Sequence, residues 1–212
     1  VTLCAQRNAS SSITVTNAVT MSNPGIALSL VAGSTNVGSI ALNNNLTTIG
    51  GNLSLTGIVT LGANAVLDTT NAGGTPAGAN ITFSNTIDGA FSLTCNGGTA
   101  GTVSFPAAVG GTTALTTLNA TGGTVTQSAT ARVASGGIHY TGSSAINLNG
   151  NLTTSAGPVS LTGPVTLNAN ATIDTTNSGG SAVGAAITAS SDVSQATTQS
   201  LTLNARSEER RV

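Results

Sequence analysis

The sequence contains no lysine and no tryptophan, and only 5% of its 212 residues are charged. Without lysine there is no phosphate-loop cation and no Schiff-base amine. Aromatic residues make up 2% of the chain and are confined to Phe83, Phe91, Phe105 and Tyr140. Sugar-binding grooves usually offer aromatic faces, so this is little material for one. The formal net charge of -1 supplies neither a basic field for nucleic acid nor a polybasic patch for anionic lipid. Every apolar stretch falls well short of the roughly 20 residues of a membrane span. Nucleic acid and membrane insertion are therefore not expected. The opening "VTLCAQRNAS" has no basic start and no apolar run, so export would rest on a signal outside this chain.

Cysteine is equally scarce. Cys4 and Cys95 are far apart, which excludes a disulfide framework and the closely spaced pairs that bind zinc. Cys95 lies in "SLTCN", and the later "SLTLN" places Leu203 at the same point, so Cys95 reads as a small buried hydrophobe. The sole histidine, His139, stands beside Tyr140 in "GGIHYTG". An alternating strand turns one of the two outward, and no oriented acid or nucleophile is identified for catalysis. His139 reads as a solvent-facing strand residue, and there is no G-x-S-x-G elbow.

What is present is a chain with 39% apolar residues and a mean hydropathy of +0.26, too hydrophobic for disorder. Its bulk is Gly, Ala, Thr, Ser and Asn. It also repeats itself: "DTTNAGG" from Asp68 returns as "DTTNSGG" from Asp174. Aligning the 48 residues from Ile40 with those from Ile146 gives about 29 identities, which marks a duplication. The long repeats cover 40–96 and 146–204, with a less regular stretch, 97–145, between them.

A shorter period lies inside. Apolar triplets begin at Ile40, Leu46, Leu53, Val59 and Ala65, and again at Ile146, Leu152, Val159, Val165 and Ala171. Alternation within them, as in Leu53 and Leu55 or Val59 and Leu61, is the mark of short strands. Gly, Asn and Pro between them mark turns. Three strand-and-turn units make one coil of a single-stranded parallel β-helix, an all-β solenoid of about 19–21 residues per coil and roughly ten coils over 1–205. Its narrow core would be aliphatic, with little room for irregular bulk. Two Gly-rich segments, 71–80 and 177–186, read as loops. Residues 206–212, "RSEERRV", form a charged tail.

The aspartates are the remaining chemistry. Asp68 and Asp174 would stand about five coils apart on this reading, roughly 24 Å, too far to act as paired glycosidase carboxylates. Asp68 with Asp88, and Asp174 with Asp192, would lie near one coil apart, close enough for Ca²⁺. The glycine-and-aspartate nonapeptide of calcium β-rolls is missing, so carboxylates bonding their own turn backbone are the favoured reading. No metal, cofactor or catalytic residue is expected.

The runs "GNLSLTGIVTLGANAVLDTTN", "ANITFSNTIDG", "GGIHYTGSSAINLNGNLTTSAGPVSLTGPVTLNANATIDTTN" and "QSLTLNA" resemble the repeats of bacterial filamentous-haemagglutinin-like large exoproteins. The resemblance spans roughly Ile26 to Ala205 and rests on repeat style. It implies a right-handed parallel β-helix, secreted or displayed at the cell surface, that serves as a stalk, fibre or adhesin. It also implies neighbouring solenoid segments, end-to-end self-association, or a host or environmental surface as partners. The tail 206–212 departs from the pattern, where a further Gly-rich turn is expected. Two other classes compete. One is an ice-binding solenoid, against which the outward Thr positions vary too much between coils. The other is an acyltransferase on a left-handed hexapeptide β-helix, with His139 as base. The expectation is a non-enzymatic structural segment.

Overall fold

The computed structural model describes residues 1–5, 11–33, 38–180 and 183–205. The charged tail at 206–212 lies outside the described residues, as does Arg7. Regular structure among the described residues is β-strand, and every pairing between named strands is parallel. Among the described residues no helix is long and apolar enough to cross a membrane. The chain is a three-sided β-solenoid, with the apolar side of each strand turned inward.

The first face stacks Thr2–Ala5, Leu28–Ala32, Leu53–Thr56, Ile81–Phe83, Thr102–Phe105, the second parts of the long strands Thr117–Gln127 and Ile138–Leu148, then Val165–Leu167 and Val193–Gln195. The second face runs from Ser12–Val15 through Ser39–Leu42, Ile58–Leu61 and Ile87–Asp88 to Val109, which bridges to Ala131–Val133. It continues through Leu152–Thr154 and Ala171–Asp174 to Leu201–Asn204. The third face carries Val19–Thr20, Leu46–Thr47, Ala65–Asp68, Ser92–Asn96, the first parts of the two long strands, Val159–Thr162 and Ile187–Ala189.

The expected strand starts lie where the short period placed them. Ile40, Leu46, Leu53, Val59 and Ala65 are all buried, as are Ile146, Leu152, Val159, Val165 and Ala171. The number of coils differs: among the described residues the first and second faces stack nine rungs and the third eight, rather than ten. The step between hydrogen-bonded equivalents is 19 residues from Asn149 to Asn168 but 30 from Asn170 to Ser200. The difference is loop, not strand, since the Gly-rich segments are threaded between faces without adding a rung.

Glycine keeps the corners tight at two equivalent points, Gly57 and Gly163, which follow the same "SLT". Both have positive φ, 139° and 117°, and a Cβ on Gly163 would stand 2.0 Å from the Gly142 carbonyl oxygen. The long strands instead bend through a corner of their own, with a register irregularity between Gly122 and Thr124. The stretch 97–145 is thus continuous solenoid.

The core is not purely aliphatic, contrary to the expectation of little room for bulk. Phe83 and Phe105 occupy consecutive inward rungs of the first face and stack at a centroid distance of 5.5 Å. Tyr140 reaches them from the third face, 6.2 Å from Phe105. Above Phe105 the column continues with Gln127, also buried. The Tyr140 hydroxyl donates to Gln127 Oε1 at 2.6 Å, and Gln127 Nε2 donates to the Ala129 carbonyl at 2.9 Å. Each polar atom brought inside therefore has a partner, as burial demands.

Candidate functional site

The duplicated "DTTN" is a loop staple. Asp68 closes a third-face strand, and its Oδ1 accepts from the Thr70 backbone N–H at 2.7 Å and the Thr70 hydroxyl at 2.6 Å. Its Oδ2 accepts from the Ala72 N–H at 2.7 Å. Asp174 repeats this on Thr176, at 2.6 Å and 2.7 Å, and on the Ser178 N–H at 3.0 Å. These bonds hold Asn71, Ala72, Asn177 and Ser178 at positive φ, between 53° and 57°. Thr69 and Thr175 clamp the far side of each loop: Ala79 N–H donates to Thr69 Oγ1 at 2.8 Å, and Ala185 N–H to Thr175 Oγ1 at 2.9 Å.

Asp68 and Asp174 are used by their own turns, Asp88 by the backbone of the next coil, and neither aspartate pair considered for Ca²⁺ is stacked. Asp68 is on the third face between Thr47 and Asn96, whereas Asp88 is on the second face beside Thr60 and accepts from the Thr112 and Thr113 N–H groups. Asp174 neighbours Thr153 and Asn204 on the second face, while Asp192 leads into a first-face strand. Among the described residues no three His, Cys, Asp or Glu side chains gather as a metal cluster. Burial alone would raise the Asp174 carboxyl, but the hydrogen bonds from Thr176, Ser178 and Asn204 outweigh it and hold it below the ordinary carboxylate value.

His139 is turned outward and half-buried, with Tyr140 turned in. Its Nε2 lies 3.1 Å from the Gly136 carbonyl oxygen, and its column neighbours are Asn119 and Ser160. Cys95 is buried between Leu67 and Ala120, and burial pushes its thiol well above the ordinary range. Burial, and secondarily the Cys95 charge, do the same to Tyr140. Such a thiol is packing, not a nucleophile. Cys4 is exposed and free. Of the aromatic residues, Phe91 is the exposed one.

The feature not seen in the sequence is a column on the outside of the first face. Register pairing aligns Thr2, Ser29, Ser54, Thr82, Ser104, Thr126, Asn147, Thr166 and Ser194 on consecutive rungs. Eight of these nine are hydroxyl residues, repeating at the strand spacing of about 4.8 Å. Thr positions that vary along the chain are thus regular in space on this face. The linear signal was there in the triplets "LSL", "LSL", "ITF", "VSF", "VTQ", "INL", "VTL" and "VSQ", but uneven loops hide their alignment. The hydroxyls of Ser29, Ser54, Thr82, Ser104 and Thr126 have no hydrogen-bond partner among the described residues. Among the described residues charge lies elsewhere: Asp88, Arg132 and Asp174 on the second face, Asp68 on the third, with only Asp192 beside the last rung of the first.

Compared with known proteins, the chain matches no family model, no curated protein and no solved structure.

Proposed function

We propose that this chain is a shaft segment of a secreted or cell-surface exoprotein of the filamentous-haemagglutinin-like kind, a non-enzymatic stalk or fibre that carries attachment to a host or environmental surface. The observation that supports this is the stacking of all three faces, the two sheets of the second joined by bridges at Val109, in which backbone hydrogen bonds run along the rod and each turn rests on the next. Such a quasi-one-dimensional body gives reach, and its turns offer parallel edges to further solenoid segments at either end. The four aromatic residues are spent mainly on the core, so the reading assigns this segment to the shaft rather than to a sugar-binding tip. Fractionation of the producing cell with an antibody to this segment tests it. Recovery at the cell surface or in the medium is expected; recovery in the cytoplasm alone would refute it.

The hydroxyl column favours a second reading, an ice-binding face, because a flat array of evenly spaced hydroxyls can order water. Thermal hysteresis that disappears with Thr82→Arg would establish that reading in place of the first.

A further inference from the structure

We infer that the first face is a lateral docking surface for a second copy of this chain, so that two rods lie side by side with their hydroxyl columns opposed. A hydroxyl both donates and accepts, so identical columns are self-complementary whichever way the partner rod points. A rigid partner must also keep step over nine rungs, and a second solenoid with the same rise does so by construction. The steric zippers of stacked sheets use the same principle.

Charge and area agree with this occupant. The second face carries Asp88 and Arg132 and would place charge on charge in a symmetric contact, while the outward column of the third face mixes Val66, Asn119 and His139 with Thr94 and Ser160 and lacks uniform hydroxyls. Among the described side chains, the first face brings no charge to the contact except Asp192 at its end. Nine rungs and a strand width give a patch of roughly 40 by 15 Å, about 1,200 Å² over two copies, the lower bound of a specific stable interface. The open hydroxyls from Ser29 to Thr126 supply the bonds.

This deepens the stalk reading by naming a partner, and the two fail separately: a dimer found in the cytoplasm refutes only the location, and a surface-borne monomer only the dimer. The test is the mass of the whole chain in solution by sedimentation equilibrium across micromolar to millimolar concentration. The expected result is a doubling of mass for the wild type, a return to monomer in Thr82→Arg/Thr126→Arg, and retained dimer in the third-face control Thr94→Arg/Ser160→Arg. Circular dichroism and thermal melting of all three check that folding is intact. A wild-type monomer throughout, or equal dissociation by both variant pairs, would overturn the proposal. A monomer whose thermal hysteresis is lost only in the first-face variant would overturn it in favour of an ice lattice as the occupant.

Discussion

Asp68 and Asp174 occupy the same place in the duplicated sequence and make the same bonds, yet they stand on different faces of the solenoid. Ile40 is on the second face and Ile146 on the first; Leu53 is on the first and Val159 on the third. The second copy is therefore rotated by one face relative to the first. The expectation that the two aspartates stack above each other about five coils apart is corrected by this rotation, and the two Gly-rich loops leave the rod at different corners.

The Asp174 staple gives a signed pH dependence. Because its folded carboxyl is held below the ordinary value, its contribution is complete above the unfolded range near about 4 and is lost as pH falls through the lower folded value. Asp174→Asn should cost about 1.5–3 kcal/mol at neutral pH, the worth of hydrogen bonds to a charged acceptor. Denaturation of both proteins from pH 7 to pH 2 should show the gap closing in acid. A gap independent of pH would show that the charge is not what matters.

Strand register is tested by neighbours. Leu161 is 3% exposed between Tyr140 and Ala189, whereas Thr162 beside it points out. Leu161→Asp should lose several kcal/mol by removing apolar burial and placing an unpaired carboxylate in the core. Thr162→Asp should stay within about 0.5 kcal/mol of the parent. Equal melting temperatures for the two would contradict the register.

The buried Tyr140–Gln127 bond predicts a non-additive pair. Tyr140→Phe alone leaves Gln127 Oε1 without its donor and should cost about 1–3 kcal/mol. Adding Gln127→Leu, which continues the Phe105 and Leu148 column in apolar form, should recover a large part of that loss. Additive losses in a double-mutant cycle would argue against the bond.

The corner glycine predicts a local effect. Gly163→Ala has both a positive φ and the Gly142 carbonyl in its way, so it should destabilise by more than about 1 kcal/mol. Gly179 also has positive φ but open space around it, so alanine there should cost less. Urea midpoints of the two variants check the order.

Architecture was legible because the solenoid writes itself locally. The inward strand starts, from Ile40 to Ala65 and from Ile146 to Ala171, are apolar residues bracketed by turn formers. Staples were legible in the same way, since Asp68 and Thr70 are two residues apart. What spans turns was not. Nothing in the spacing of Ser54, Thr82 and Ser104 says that they share a column, because the loop at 71–80 lengthens one step and not the next. The rotation between copies was hidden for the same reason: the stretch through Phe105 to Gln127 has no duplicate against which to count faces. The aromatic stack joins Phe83, Phe105 and Tyr140 across three different turns, and chain separation conceals it.

An experimental density map at side-chain resolution tests the central claim most directly, that this chain is a three-sided parallel solenoid whose duplicated halves are turned by one face. The expected map shows rungs rising by about 4.8 Å, Thr2 to Ser194 in one outward column, and the Asp68 and Asp174 staples at different corners. A map with the two staples on one edge, or a compact body without stacked rungs, would contradict it.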